Sequence, residues 1–301
     1  MENIVLLFAC LAIGMLLHRS RVLPANAPAT INGFIIHVSL PALILQYIHT
    51  VELRSDLITA VAMPWLLFLI GAAIFWSIGK VWRLSRPTTG ALILMGGLGN
   101  TSFVGIPMIE AFYGPALLSI GILIDQLGTY LVLSTLGIAV ATIYSESTTS
   151  WRNIAARIAS FPPLIAMVIA LALIPVSYPD WLDVILHRLG GTLAPLALVS
   201  VGLQLRASTL SGNRGALAMG LSYKLLIGPA ILAAVYVSLL QGKGAIAQIT
   251  LFEAAMAPQI GASIVAIQYN LNPPLVTLMV GYGTILSFAT LSFWYYILQA
   301  I

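Results

Sequence analysis

The chain has 301 residues, 60% of them hydrophobic and only 7% charged, with a mean hydropathy of +1.02. Soluble domains carry about a quarter of their residues as Asp, Glu, Lys and Arg. A composition this poor in charge excludes a water-covered globule and sets the surface against lipid. The formal charge of +4 and pI near 9.3 come without a basic run. Nucleic-acid binding is therefore not expected, and the basic residues are read as loop charges that set topology. The expected fold class is all-α and integral to the membrane.

A span needs about 20 apolar residues. In chain order, apolar runs lie near 3–17, 28–49, 57–80, 88–113, 115–143, 161–178, 181–204, 214–240, 245–268 and 274–300, and these are read as ten transmembrane spans. The first run could pass for a signal peptide. However, Met1-Glu2-Asn3 supplies no positive n-region, and His18, Arg19 and Arg21 follow the run rather than lead it. It is read as a retained span that enters with the N-terminus outside. Cys10, the single cysteine, has no partner for an intrachain disulfide and is read as a packing residue.

The odd-numbered connections hold Arg19, Arg21, Lys80, Arg83, Arg86, Arg152, Arg157, Arg206 and Arg214, against Arg54, Arg188 and Lys243 in the even ones. This bias puts the odd connections in the cytoplasm. Both termini are then expected on the far side of a cell (plasma or inner) membrane.

The two halves repeat in order. Span 2 has Leu40-Pro41-Ala42-Leu43 and span 7 has Ala194-Pro195-Leu196-Ala197-Leu198; span 4 has Gly105-Ile106-Pro107 and span 9 has Met256-Ala257-Pro258. One offset of about 150 residues superimposes both pairs. Five spans per half is odd, so the second half inserts upside down, which is the inverted repeat of secondary transporters. The expected organisation is a first repeat over 1–145, a short cytoplasmic link over 146–160 and a second repeat over 161–301.

Proline removes a backbone donor and crowds the preceding turn, and lipid tolerates broken backbone only where it is buried in protein or lines a cavity. Pro107 and Pro258 are thus expected to break spans 4 and 9 near the midplane. Half-helix N-termini there carry partial positive charge and free N–H groups that suit an anion. The plainer alternative is that each proline merely kinks a helix. The substrate residues expected around the breaks are Asn100, Thr101, Ser102, Pro107, Met108, Pro258, Gln259 and Ser263. Asn100 could instead only hold two helices together through an interhelical hydrogen bond.

Charges inside spans cost roughly 2.5–3.5 kcal/mol each on insertion scales and so tend to have a function or a partner. Four stand out as coupling candidates: Glu110, Asp125, Lys224 and Glu253. Asp125 and Glu253 could load and unload a proton, or either could form a structural ion pair with Lys224. His37 in span 2 is read as a hydrogen-bonded packing residue.

These stretches resemble the auxin efflux carrier family, which includes the plant PIN carriers and many bacterial permeases. The likeness rests on Asn100-Thr101-Ser102-Phe103-Val104-Gly105-Ile106-Pro107 with Tyr113-Gly114, on Ala254-Ala255-Met256-Ala257-Pro258-Gln259 continuing to Gln268-Tyr269-Asn270 and Asn272-Pro273, and on the ending Tyr295-Tyr296-Ile297-Leu298. The resemblance implies two inverted five-helix repeats whose helices 4 and 9 cross at their prolines. It also implies a scaffold of helices 1, 2, 6 and 7, commonly a homodimer interface, and an elevator-like transport domain of helices 3–5 and 8–10. Implied substrates are small organic anions, either auxins or dicarboxylates such as malate or malonate, with Asn100 at the carboxylate. The short 5–6 link departs from the long plant carriers and points to a bacterial-type member. Coupling to protons or sodium is left open, and so is a carrier like the bile-acid symporters.

A channel would need a filter or a ring of like charges, and none is evident. Zinc-protease, nucleophile-elbow and Walker A motifs are also missing, so neither an enzyme nor a cofactor or metal site is expected.

Overall fold

The computed structural model describes residues 2–24, 26–49, 56–145, 159–174, 176–204 and 213–301. Most of the expected 146–160 link lies outside these residues, as do Arg54, Arg152, Arg157 and Arg206. Among the described residues the regular structure is helical, and the one extended pairing is an isolated antiparallel bridge between Gly99 and Pro258.

Among the described residues six helices are long and apolar enough to cross a membrane: Ala27–Ile48, Leu57–Val81, Pro115–Tyr144, Asp180–Gln204, Arg214–Leu239 and Pro273–Leu298. Two shorter apolar helices, Phe8–Ser20 and Pro162–Ala172, accompany them. Proline stands in the first turn of several helices, at Pro28, Pro87, Pro115, Pro162 and Pro273, where its missing N–H would have had no partner anyway. Ser85 and Asn272 cap their helices by accepting from Thr88 N and Leu275 N, each at 3.3 Å.

Polar contacts fix which helix ends lie together. Asn272 Nδ2 donates to Thr88 Oγ1 at 2.9 Å and to Asn213 Oδ1 at 3.1 Å, while Arg86 donates to the Ile143 carbonyl at 2.5 Å. These bonds gather the ends that carry Arg86 and Arg214. At the opposite end Gly244 N donates to the Ile301 carbonyl at 3.2 Å, beside Lys243. Arg86 and Arg214 therefore lie at one end of the bundle and Lys243 at the other.

Two expectations change. The run at 161–178 is helical only over Pro162–Ala172. Eleven residues rise about 17 Å, short of a hydrocarbon core of about 30 Å, because the chain turns at Leu173 and restarts only after Pro179. Pro107 also does not mark an interruption. The helix stops at Gly97, restarts at Thr101 and runs on through Pro107 to Tyr113. A π-helical turn over Thr101–Gly105 widens the winding, so the proline ring clears the turn before it. The matching stop at the other site does involve its proline, with helix over Gly244–Ala254 and again over Ile260–Gln268.

Candidate functional site

The two interruptions meet each other. Asn100 N donates to the Ala257 carbonyl at 2.7 Å and Gln259 N to the Leu98 carbonyl at 3.1 Å, which makes the Gly99–Pro258 bridge. In an antiparallel ladder these bonds flank a pair that does not itself exchange hydrogen bonds. Pro258 occupies such a position, so its missing donor costs nothing there. Opposite it the chain has glycine, and a Cβ on Gly99 would lie 3.3 Å from Lys224 Nζ and 3.4 Å from the Glu253 carbonyl. The close approach leaves little room for a side chain.

Asn100 is buried and begins the restarted helix, its Oδ1 accepting from Phe103 N at 3.2 Å. Its Nδ2 has no hydrogen-bond partner among the described residues. Gln259 begins the other restarted helix, and its buried Oε1 is likewise without a partner. Buried amide atoms are rarely left so in folded proteins. The crossing thus presents one donor and one acceptor beside two helix N-termini.

Asp125 comes to the same region from the Pro115–Tyr144 helix. Thr101 Oγ1 and Ser102 Oγ both donate to its Oδ1 at 2.5 Å, and Gln126 Nε2 donates to Oδ2 at 2.6 Å. This carboxylate is fully enclosed by hydroxyl and amide donors. Glu253 is the opposite case: it is 0% exposed and, among the described residues, neither side-chain oxygen receives a hydrogen bond. Its oxygens lie 2.5 and 2.6 Å from where a Cβ on Gly105 would be, so only glycine leaves that slot open. Lys224, also 0% exposed, donates to the Ala254 carbonyl at 2.7 Å. The lysine therefore holds backbone next to Glu253; among the described residues no hydrogen bond joins it to Asp125 or Glu253, and it meets Glu253 electrostatically. Thr101, Asp125 and Lys224 each sit in a π-helical turn, a winding frequent at functional sites.

Other expected residues are placed farther out. Pro107 and Met108 are buried within the helix beyond the crossing. Glu110 lines a recess of about 40 Å³ with Gln46, Tyr47 and His187. Ser263 donates to the Ile260 carbonyl at 2.7 Å and lines a larger cavity of about 410 Å³ with Asn32, Gln204 and Gly281. His37 bonds the Gly33 carbonyl at 2.8 Å, and Cys10 is buried and free.

Sequence reading missed the role of Gly105, whose value is the space it leaves. It also missed Gln126 and Thr129, both buried with an oxygen lacking a partner. Thr129, four residues past Asp125, shares its helix face, and that spacing was the available signal for it.

Residues 1–295 match the model of a family described as membrane transport protein. An uncharacterized transporter of Methanothermobacter thermautotrophicus is 27% identical over 298 residues, covering 97% of this chain and 96% of the relative. An uncharacterized transporter of Methanocaldococcus jannaschii is 24% identical over 277 residues, covering 89% of each. With nearly its whole length matched, the chain belongs to this membrane transport protein family, the auxin efflux carrier family that its proline-containing stretches resemble.

Proposed function

We propose that this transporter is a secondary carrier of small organic anions, auxin-like monocarboxylates or dicarboxylates such as malate or malonate. The observation that carries the reading is the crossing. Helices restart at Thr101 and Ile260 on either side of one backbone bridge, and the two N-terminal ends favour an anion. Lys224 adds a cation beside Gly99, and Asn100 Nδ2 supplies an unused donor for a carboxylate. Thr101 and Ser102 complete the polar surround through Asp125, while Gln259 reads a hydroxyl or protonated oxygen.

In this reading the chain forms ten spans as two inverted repeats, with the short and interrupted helices counted among them. The transport domain of helices 3–5 and 8–10 slides against a scaffold of helices 1, 2, 6 and 7, and a homodimer forms through that scaffold. The 410 Å³ cavity lies on the basic, cytoplasmic face against the Ile260–Gln268 helix, and the 40 Å³ recess lies toward the other face. This asymmetry supports a state open to the cytoplasm, with both termini on the far side of the cell membrane.

For coupling, Glu253 suits the exchange of a proton or cation better than Asp125. Its oxygens have no partner to give up, whereas Asp125 would have to release three donors. Glu110, in the outer recess, is assigned to closing that side.

Purified protein heated with malonate, malate or indole-3-acetate tests the reading. A carboxylate that stabilises the wild type should stabilise Asn100→Ala far less. Equal stabilisation of the two proteins would remove Asn100, and with it the crossing, from the binding site.

A further inference from the structure

We propose a binding site for an anionic phospholipid of the cytoplasmic leaflet on the outer flank of the bundle, distinct from the crossing. A groove of about 570 Å³ runs between the Arg214–Leu239 helix and the last helix. Leu217, Leu221 and Leu225 line one wall, Tyr282 and Leu286 the other, and Arg214 stands at its mouth. Leu286 is 47% exposed, so the groove opens outward from the bundle, where lipid lies.

Two features select the occupant. From Arg214 to Leu225 the helix rises about 16 Å, which matches half of a hydrocarbon core of about 30 Å. The groove thus has the depth of one leaflet. Arg214 is exposed and makes no hydrogen bond or ion pair among the described residues. The bonds of Asn272 to Asn213 and Thr88 place it on the face that also carries Arg86, the face read as cytoplasmic. A guanidinium at the interface above an apolar groove fits a phosphate headgroup with its chain below. The back of the groove is the turn Tyr223–Ile227, which points Lys224 inward. A chain in the groove therefore braces the turn that holds Lys224 at the crossing. The site rests on the chain's place in a membrane and not on what it carries.

Retention of phosphatidylglycerol and phosphatidylcholine by the purified full-length protein, measured by native mass spectrometry from mixed micelles, tests this. The wild type should retain phosphatidylglycerol over phosphatidylcholine. Arg214→Gln should weaken that preference about fivefold, the effect of one basic residue at a lipid surface. Leu221→Trp, which fills the groove, should reduce retention of both lipids. Equal retention of the two lipids by the wild type, or an unchanged preference in Arg214→Gln, overturns the proposal. So does a second protein copy cross-linked through the groove in place of lipid. Arg214 is exposed, so its variant decides the matter even if Leu221→Trp fails to fold.

Discussion

Replacing Gly105 with alanine probes the slot that holds Glu253. The backbone there is ordinary right-handed helix, φ −60° and ψ −56°, so alanine alone should stabilise by about 0.5–1 kcal/mol. The new Cβ, however, would sit 2.5 and 2.6 Å from the two oxygens of Glu253 and 2.9 Å from its Cδ. Ordinary C···O contacts begin near about 3.3 Å, so the carboxyl must retreat by roughly 0.7–0.8 Å. Retreat toward Gly121 is limited by Ile109 Cδ1, which already lies 2.3 Å from where a Cβ on Gly121 would be. Overpacking of this kind costs about 1–3 kcal/mol. In a Glu253→Ala background the obstruction is gone, and Gly105→Ala should turn from destabilising to neutral or stabilising. The double-mutant cycle then gives a coupling of about 1–3 kcal/mol. Thermal and denaturant unfolding of the four purified proteins measures it. Additive effects within about 0.5 kcal/mol would show that Glu253 does not occupy the slot, and the reasoning would fail.

Three further outcomes follow from the same geometry. Asp125→Ala should cost about 2 kcal/mol or more, because the buried donors of Thr101 and Gln126 lose their acceptor at roughly 1–3 kcal/mol each and the half-buried Ser102 loses one too; a melting temperature equal to wild type would contradict this. Glu253→Gln should move the melting temperature less than Asp125→Ala does, since it removes a buried carboxylate with no hydrogen bond while taking a counter-charge from Lys224; a loss as large as that of Asp125→Ala would contradict this. In transport, Glu253→Gln should lose the response to a pH or sodium gradient while retaining counterflow; an intact gradient response would move coupling to another residue.

How far this molecule can be read from its sequence depends on whether the signal is local. Hydrophobic runs and prolines are local, so the helical class and the helix starts at Pro28, Pro115, Pro162 and Pro273 were legible. The interruption at Pro258 was legible for the same reason. Pro107 misled because a proline carried within a continuous helix after a π-helical turn resembles, in sequence, one that breaks a helix. The true stop at Leu98-Gly99-Asn100 is set by backbone bonds to Ala257 and Leu98 from residues about 160 positions apart. The identity of the buried charges was visible, yet their division was not. Asp125 and Glu253 are both acids in apolar runs, and only the fold brings Thr101, Ser102 and Gln126 to one and leaves the other bare. Lys224 could have bonded either, and its hydrogen bond goes to a backbone carbonyl while it meets Glu253 electrostatically.

The central claim is that a carboxylate is carried at the crossing of the two restarted helices. Counterflow of labelled malonate, malate or indole-3-acetate in proteoliposomes tests it most directly, comparing wild type with Asn100→Ala. The account predicts saturable counterflow of at least one of these anions by the wild type, reduced by tenfold or more in the variant while the protein stays folded. Ohmic, non-saturating anion current through the wild type, or counterflow unchanged in Asn100→Ala, would contradict it.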